Sequence, residues 1–108
     1  MNAQASLFDT PPLRRKVQTA AEAWRERLRA ALYARHRGER VTADHAVALM
    51  EADASLRRPP EVHRNTIGTL FQGWERAAPV MVGDGADRVQ LRVRSPRDRN
   101  DIAVWLLR

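Results

Sequence analysis

Arg64, Asn65, Thr66, Thr69, Gln72 and Arg76 bring guanidinium, amide and hydroxyl groups into one short stretch of the chain. Side chains of these types hold phosphate oxygens and read the edges of bases. The same residues also suit an ordinary solvated helix face. Further on, Arg88, Arg92, Arg94, Arg97 and Arg99 are spaced to hold phosphates. They are equally well placed to pair with Asp87, Asp98 and Asp101 on the surface.

No catalytic constellation accompanies these groups, and the expectation is a non-enzymatic protein. The chain has no cysteine, which excludes disulfides, a thiol nucleophile and cysteine-based zinc sites. His36, His45 and His63 lie far apart in sequence and form no close-spaced metal pair, so no metal site is expected. Gly83-Asp84-Gly85 lacks the lysine and following helix of a phosphate-binding loop. Ser6, Ser55 and Ser95 lack a nucleophile-elbow context. Neither a cofactor nor a small-molecule substrate is expected.

The 108 residues carry a formal net charge of +6, which draws a small domain towards polyanions, nucleic acid above all. Lys16 is the only lysine. Such an arginine bias also arises from a GC-rich genome. No apolar run is long enough to span a membrane and no apolar segment follows the N-terminus. A cytoplasmic protein without membrane contact is expected.

The elements that would position these residues follow from periodicity. Residues 1–18 read as a flexible N-terminal tail: Pro11-Pro12 stops a helix and Leu13-Arg14-Arg15-Lys16 is basic. A domain over residues 19–108 follows. Thr19, with Glu22 three residues on, caps a first helix over 19–37, with Trp24, Leu28 and Leu32 on its apolar face and Gly38 at its end. Thr42 caps a second helix over 43–54, packing through Ala46, Val47, Met50 and Ala54. Arg57-Arg58-Pro59-Pro60 breaks it. In a third helix, over 61–77, Ile67, Leu70, Phe71 and Trp74 recur at i, i+3, i+4 and i+7 and should be buried. After Pro79 the period becomes alternating: Val80 and Val82, then Val89, Leu91 and Val93, then Ile102, Val104 and Leu106, with a turn at Gly83-Asp84-Gly85. Trp24, Phe71, Trp74 and Trp105 serve the core.

Three helices followed by a small antiparallel sheet is the order of an α+β winged helix-turn-helix, with the third helix as the recognition helix and the hairpin as the wing. Arg64-Asn65-Thr66-Ile67-Gly68-Thr69-Leu70-Phe71, Ser95-Pro96-Arg97 and Ile102-Ala103-Val104-Trp105 resemble the motifs of small winged-helix proteins of phages and prophages. The resemblance spans about residues 20–106 and implies a DNA-associated role with duplex DNA as partner. It implies no catalytic residues. The DNA-binding residues would be Arg64, Asn65, Thr66, Thr69, Gln72, Arg76, Arg92 and Arg94. Two departures stand out. Arg76-Ala77-Ala78-Pro79 replaces the usual glycine after the third helix, and the turn carries Asp84 and Asp87, which meet phosphate poorly.

Gln4-Ala5-Ser6-Leu7-Phe8 resembles the pentapeptide with which bacterial replication and repair proteins dock on the sliding clamp. In such a motif the leucine and phenylalanine fill an apolar pocket and the glutamine bonds its polar rim. Gln4, Ser6, Leu7 and Phe8 would then be partner-binding residues; alternatively Leu7 and Phe8 pack back on the domain. Two function classes follow. One is a DNA-binding replication accessory or regulatory factor. The other is a protein-interaction module that modulates host replication machinery without binding DNA.

Overall fold

The computed structural model describes residues 12–97 and 99–108, with side chains from Thr19 onward. It is an α+β fold of helices and small antiparallel sheets. Helix α1 spans Pro12–His36 and strand β1 Arg40–Val41. Helix α2 spans Ala43–Ala52, and a 3₁₀ turn at Ala54–Leu56 follows it. A second 3₁₀ segment covers Arg64–Thr69. The remaining strands are β2 Ala77–Pro79, β3 Met81–Val82, β4 Val89–Gln90, β5 Arg92–Arg94, β6 Asp101–Ala103 and β7 Trp105–Leu107.

Helix α1 begins seven residues before the expected cap, so it crosses the 18/19 boundary between tail and domain. Thr19 lies inside it and not at its N-terminus. Pro12 occupies the first turn, where a missing N–H costs no hydrogen bond, and Leu13 to Lys16 are good helix formers. Proline here starts the helix instead of stopping it. Trp24, Leu28 and Leu32 are fully buried along one face, and the Trp24 indole N–H donates to Leu56 O at 2.9 Å.

Thr42 caps α2 as expected: its side chain accepts from the Asp44 N–H, while the His45 ring accepts from the Thr42 N–H. A histidine thus completes the reciprocal cap usually closed by Glu or Gln. Ala46, Leu49 and Met50 are the buried residues of α2; Val47 is half-buried and Ala54 exposed.

The third α-helix over residues 61–77 does not form, and with it goes a regular recognition helix. The stretch is 3₁₀ over Arg64–Thr69 and irregular afterwards. Gly73 adopts φ +68°, a left-handed conformation that ends helical winding. Thr66, Ile67 and Thr69 are β-branched and Gly68 is a poor helix former. The apolar spacing is nonetheless used: Leu70 and Phe71 are buried, and Ile67 and Trp74 pack against the same core.

Strand β7 is the centre of a three-stranded antiparallel sheet in the order β1-β7-β2, with Arg40 opposite Leu106 and Ala78 opposite Leu106 on the other side. Pro79 is tolerated because β2 is an edge. Strands β3 and β4 form one two-stranded arm and β5 and β6 another. The two long strands expected at 89–93 and 102–106 are each broken, at Leu91 and Val104. At those breaks the chain changes partner. Leu91 N–H donates to Val80 O (2.7 Å), Val104 N–H to Leu91 O (2.9 Å) and Val80 N–H to Val104 O (3.1 Å), closing a triangle that satisfies the backbone at all three bends. The bends also undo the expected alternation. Val89 and Val93 are exposed, as is Leu106, whereas Val104 and Leu107 are buried.

Candidate nucleic-acid interface

Arg92 and Arg94 are two residues apart on β5 and therefore share a face of the β5·β6 arm. Both are exposed. Arg92 Nη2 donates to Asp101 O at 2.6 Å and Arg94 Nε to Arg99 O at 3.0 Å, so each guanidinium lies across the arm's own backbone. Neither has a carboxylate partner among the described residues.

Helix α2 holds this arm in place. Ser95, almost fully buried, donates its hydroxyl proton to the Asp44 carboxylate, with oxygen separations of 2.8 and 3.1 Å. Its oxygen accepts from the Arg97 N–H at 3.2 Å. Arg97 forks onto Glu51 through two bonds of 2.7 and 3.0 Å. This bidentate bond holds the Glu51 carboxyl below its ordinary value and raises the Arg97 guanidinium. Asp44 and Glu51 lie seven residues apart, two turns along one face of α2. The Ser-Pro-Arg motif is thus a clamp between loop and helix, and Arg97 is spent on it. The turn also contains Arg99 at φ +63°, with its N–H on Ser95 O at 2.9 Å.

A cleft of about 300 Å³ separates the 3₁₀ region from the two arms, with Gly68, Phe71 and Gln72 on one side and Gln90, Arg92 and Ala103 on the other. Trp105 lines it too. Phe71 stacks between Trp105 (ring centroids 5.7 Å apart) and Trp74 (6.2 Å), and Arg29 covers Trp74 at 5.4 Å. Arg29 also donates to Leu70 O (2.8 Å) and Gln72 O (3.0 Å), which fixes the backbone presenting Gln72. Burial lowers the Arg29 pKa, helped by Arg25.

The structure brings Gln72 and Arg92 to one cleft but scatters the other expected contacts. Arg64 and Asn65 are exposed on the 3₁₀ segment, and Thr66 is half-buried. The Thr69 hydroxyl turns back to Thr66 O at 2.8 Å. Arg76 leaves the group altogether: it donates to the Tyr33 hydroxyl at 3.2 Å and covers the Tyr33 ring, as Arg37 does. Sequence reading missed this Tyr33–Arg37–Arg76 cluster, although the i, i+4 spacing of Tyr33 and Arg37 was visible. It also missed the edge-on contact of His36 with His45, 5.0 Å apart. Gln4, Ser6, Leu7 and Phe8 lie outside the described residues.

Among the described residues no helix is long and apolar enough to cross a membrane, and no group of three or more histidines and carboxylates is arranged to hold a metal ion. No protein-family model, curated protein or solved structure matches the chain.

Proposed function

We propose that the chain is a winged-helix, DNA-associated protein whose principal contacts are phosphate contacts from the β5·β6 arm. The observation that carries this reading is the pair Arg92 and Arg94: exposed, on one face, free of carboxylate partners among the described residues, and anchored to α2 through Ser95 and Arg97. The connectivity supports it. The strand before α2 pairs with the last strand, and the excursion between β2 and β7 takes the place of the wing. The net charge of +6 favours the same partner.

The six-residue 3₁₀ segment is too short to fill a major groove as a recognition helix does. Gln72, Arg64 and Asn65 therefore make few base contacts in this reading, and duplex binding depends weakly on sequence. A docking of Gln4, Ser6, Leu7 and Phe8 on the bacterial sliding clamp is proposed with it, on the sequence resemblance of that segment. The test is a mobility-shift titration on mixed-sequence duplexes at low salt. Wild-type protein should shift them, and Arg92→Glu with Arg94→Glu should abolish the shift. A wild-type protein that shifts none of them would refute DNA binding.

A further inference from the structure

The β3·β4 arm is unlike the β5·β6 arm beside it. Val82 and Val89 form a cross-strand pair, 42% and 57% exposed, on one face of a ribbon with two residues per strand. Beyond them the turn is sterically specified. Gly83 has φ +91°, and a Cβ there would lie 2.5 Å from Asp87 O. The following 3₁₀ turn, Gly85–Asp87, presents Asp84 and Asp87, and neither carboxylate has a partner among the described residues. Arg88 caps the same turn, so the tip carries two carboxylates and one guanidinium and is net negative by one charge, which meets phosphate poorly.

The chain carries a surface of the opposite kind. Val47, Met50 and Ile67 line a groove of about 410 Å³ between α2 and the 3₁₀ region, and Arg57 and Arg58 rim it. Glu51 also lines the groove, but Arg97 neutralises it, leaving the rim positive. The Arg58 guanidinium is held by Val62 O; Arg57 is exposed, and its side chain has no partner among the described residues.

We propose that the β3·β4 arm of one copy docks in the Val47–Met50–Ile67 groove of a second copy, with Val82 and Val89 against the apolar residues and Asp84 and Asp87 against Arg57 and Arg58. The charge complementarity selects the occupant, because this one chain carries both halves of the match. A twofold arrangement uses each arm and each groove once and closes the assembly at two copies. Burial of the two valines supplies the apolar contact, and the charges set orientation. This self-association stands independently of DNA binding.

Sedimentation of the full chain without DNA, over a concentration series, tests the proposal. Wild-type protein should shift with concentration from the 12.3 kDa monomer towards twice that mass. Asp84→Lys with Asp87→Lys should stay monomeric, as should Arg57→Glu and the charge-neutral Val89→Ser. All these positions are exposed, so circular dichroism should remain that of the wild type. An equimolar mixture of the Asp84→Lys/Asp87→Lys and Arg57→Glu proteins should regain the dimer mass, because each arm then faces a side chain of opposite charge at position 57. Three results overturn the proposal: a wild-type monomer at every concentration, a dimer indifferent to these substitutions, or a mixture that stays monomeric.

Discussion

The Ser95 hydroxyl donates to the Asp44 carboxylate across 51 residues of sequence, at 2.8 Å to the nearer oxygen. Ser95 is 1% exposed, so water does not replace that bond. It ties the loop of the β5·β6 arm to the first turn of α2, and Arg97 adds a second tie two turns along the helix. Ser95→Ala should therefore destabilise the fold by about 1.5–3 kcal/mol, the range for a hydrogen bond to a charged group. In a domain of this size that lowers the melting temperature by about 4–8 °C for each kcal/mol. Arg97→Ala, whose ion pair is exposed, should lower it less. Thermal melts of the two variants check the order, and an Arg97→Ala loss exceeding that of Ser95→Ala would contradict it.

The cap of α2 predicts a response to acid. The Thr42 N–H donates to His45 Nδ1 at 3.0 Å, which requires that nitrogen to be unprotonated. Burial holds His45 below its ordinary value, and the adjacent His36 adds to the effect; Asp44 and Glu39 oppose it. A depressed folded pKa means that the contribution is complete above the unfolded value of about 6.5 and is lost as pH falls through the folded value. The melting temperature should drop as the pH falls below about 6.5, and His45→Gln, which keeps an acceptor at this position, should flatten that part of the profile. Identical profiles for the two proteins would exclude this role.

Phe71 tests the packing of the irregular segment. It lies between Trp74 and Trp105 and is almost fully buried. Phe71→Ala should cost about 3–5 kcal/mol, as large core truncations do. Chemical denaturation should show the midpoint falling accordingly, and an unchanged midpoint would mean that the stack adds nothing to the core.

Phe71 also shows what was legible in the sequence. The apolar spacing of Ile67, Leu70, Phe71 and Trp74 correctly marked residues that meet the core of Trp24, Leu28 and Leu32. It was silent on winding, because a 3₁₀ turn and an α-helix bring much the same residues inward over so short a stretch. Gly73, at a positive φ, was the local clue that the helix ends. Thr42 was readable as a cap because capping is local chemistry. The bends at Leu91 and Val104 were not readable, since each exists only through hydrogen bonds to distant strands. The same holds for the site: Arg92 and Arg94 were singled out as arginines on a strand, but the fate of Arg97 depended on Glu51, 46 residues away.

The N-terminal segment gives an independent prediction. Calorimetry of a peptide covering residues 1–12 against purified bacterial sliding clamp should show binding in the micromolar range, as expected for two small apolar anchors with an ordering cost. In the full chain, Leu7→Ala with Phe8→Ala should remove clamp binding and leave the melting temperature unchanged. Absence of heat, together with failure to displace a known clamp ligand, would remove the clamp from the account.

The central claim, phosphate binding by Arg92 and Arg94, is tested most directly by the salt dependence of duplex affinity. Fluorescence anisotropy on a labelled mixed-sequence duplex, repeated over a salt series, gives the slope of log affinity against log salt. Each phosphate contact contributes about 0.9 to its magnitude. Arg92→Ala with Arg94→Ala should lower affinity on every duplex alike and reduce the slope by about 0.9 per arginine removed. A wild-type slope near zero, or a slope unchanged by removing both arginines, would contradict the claim.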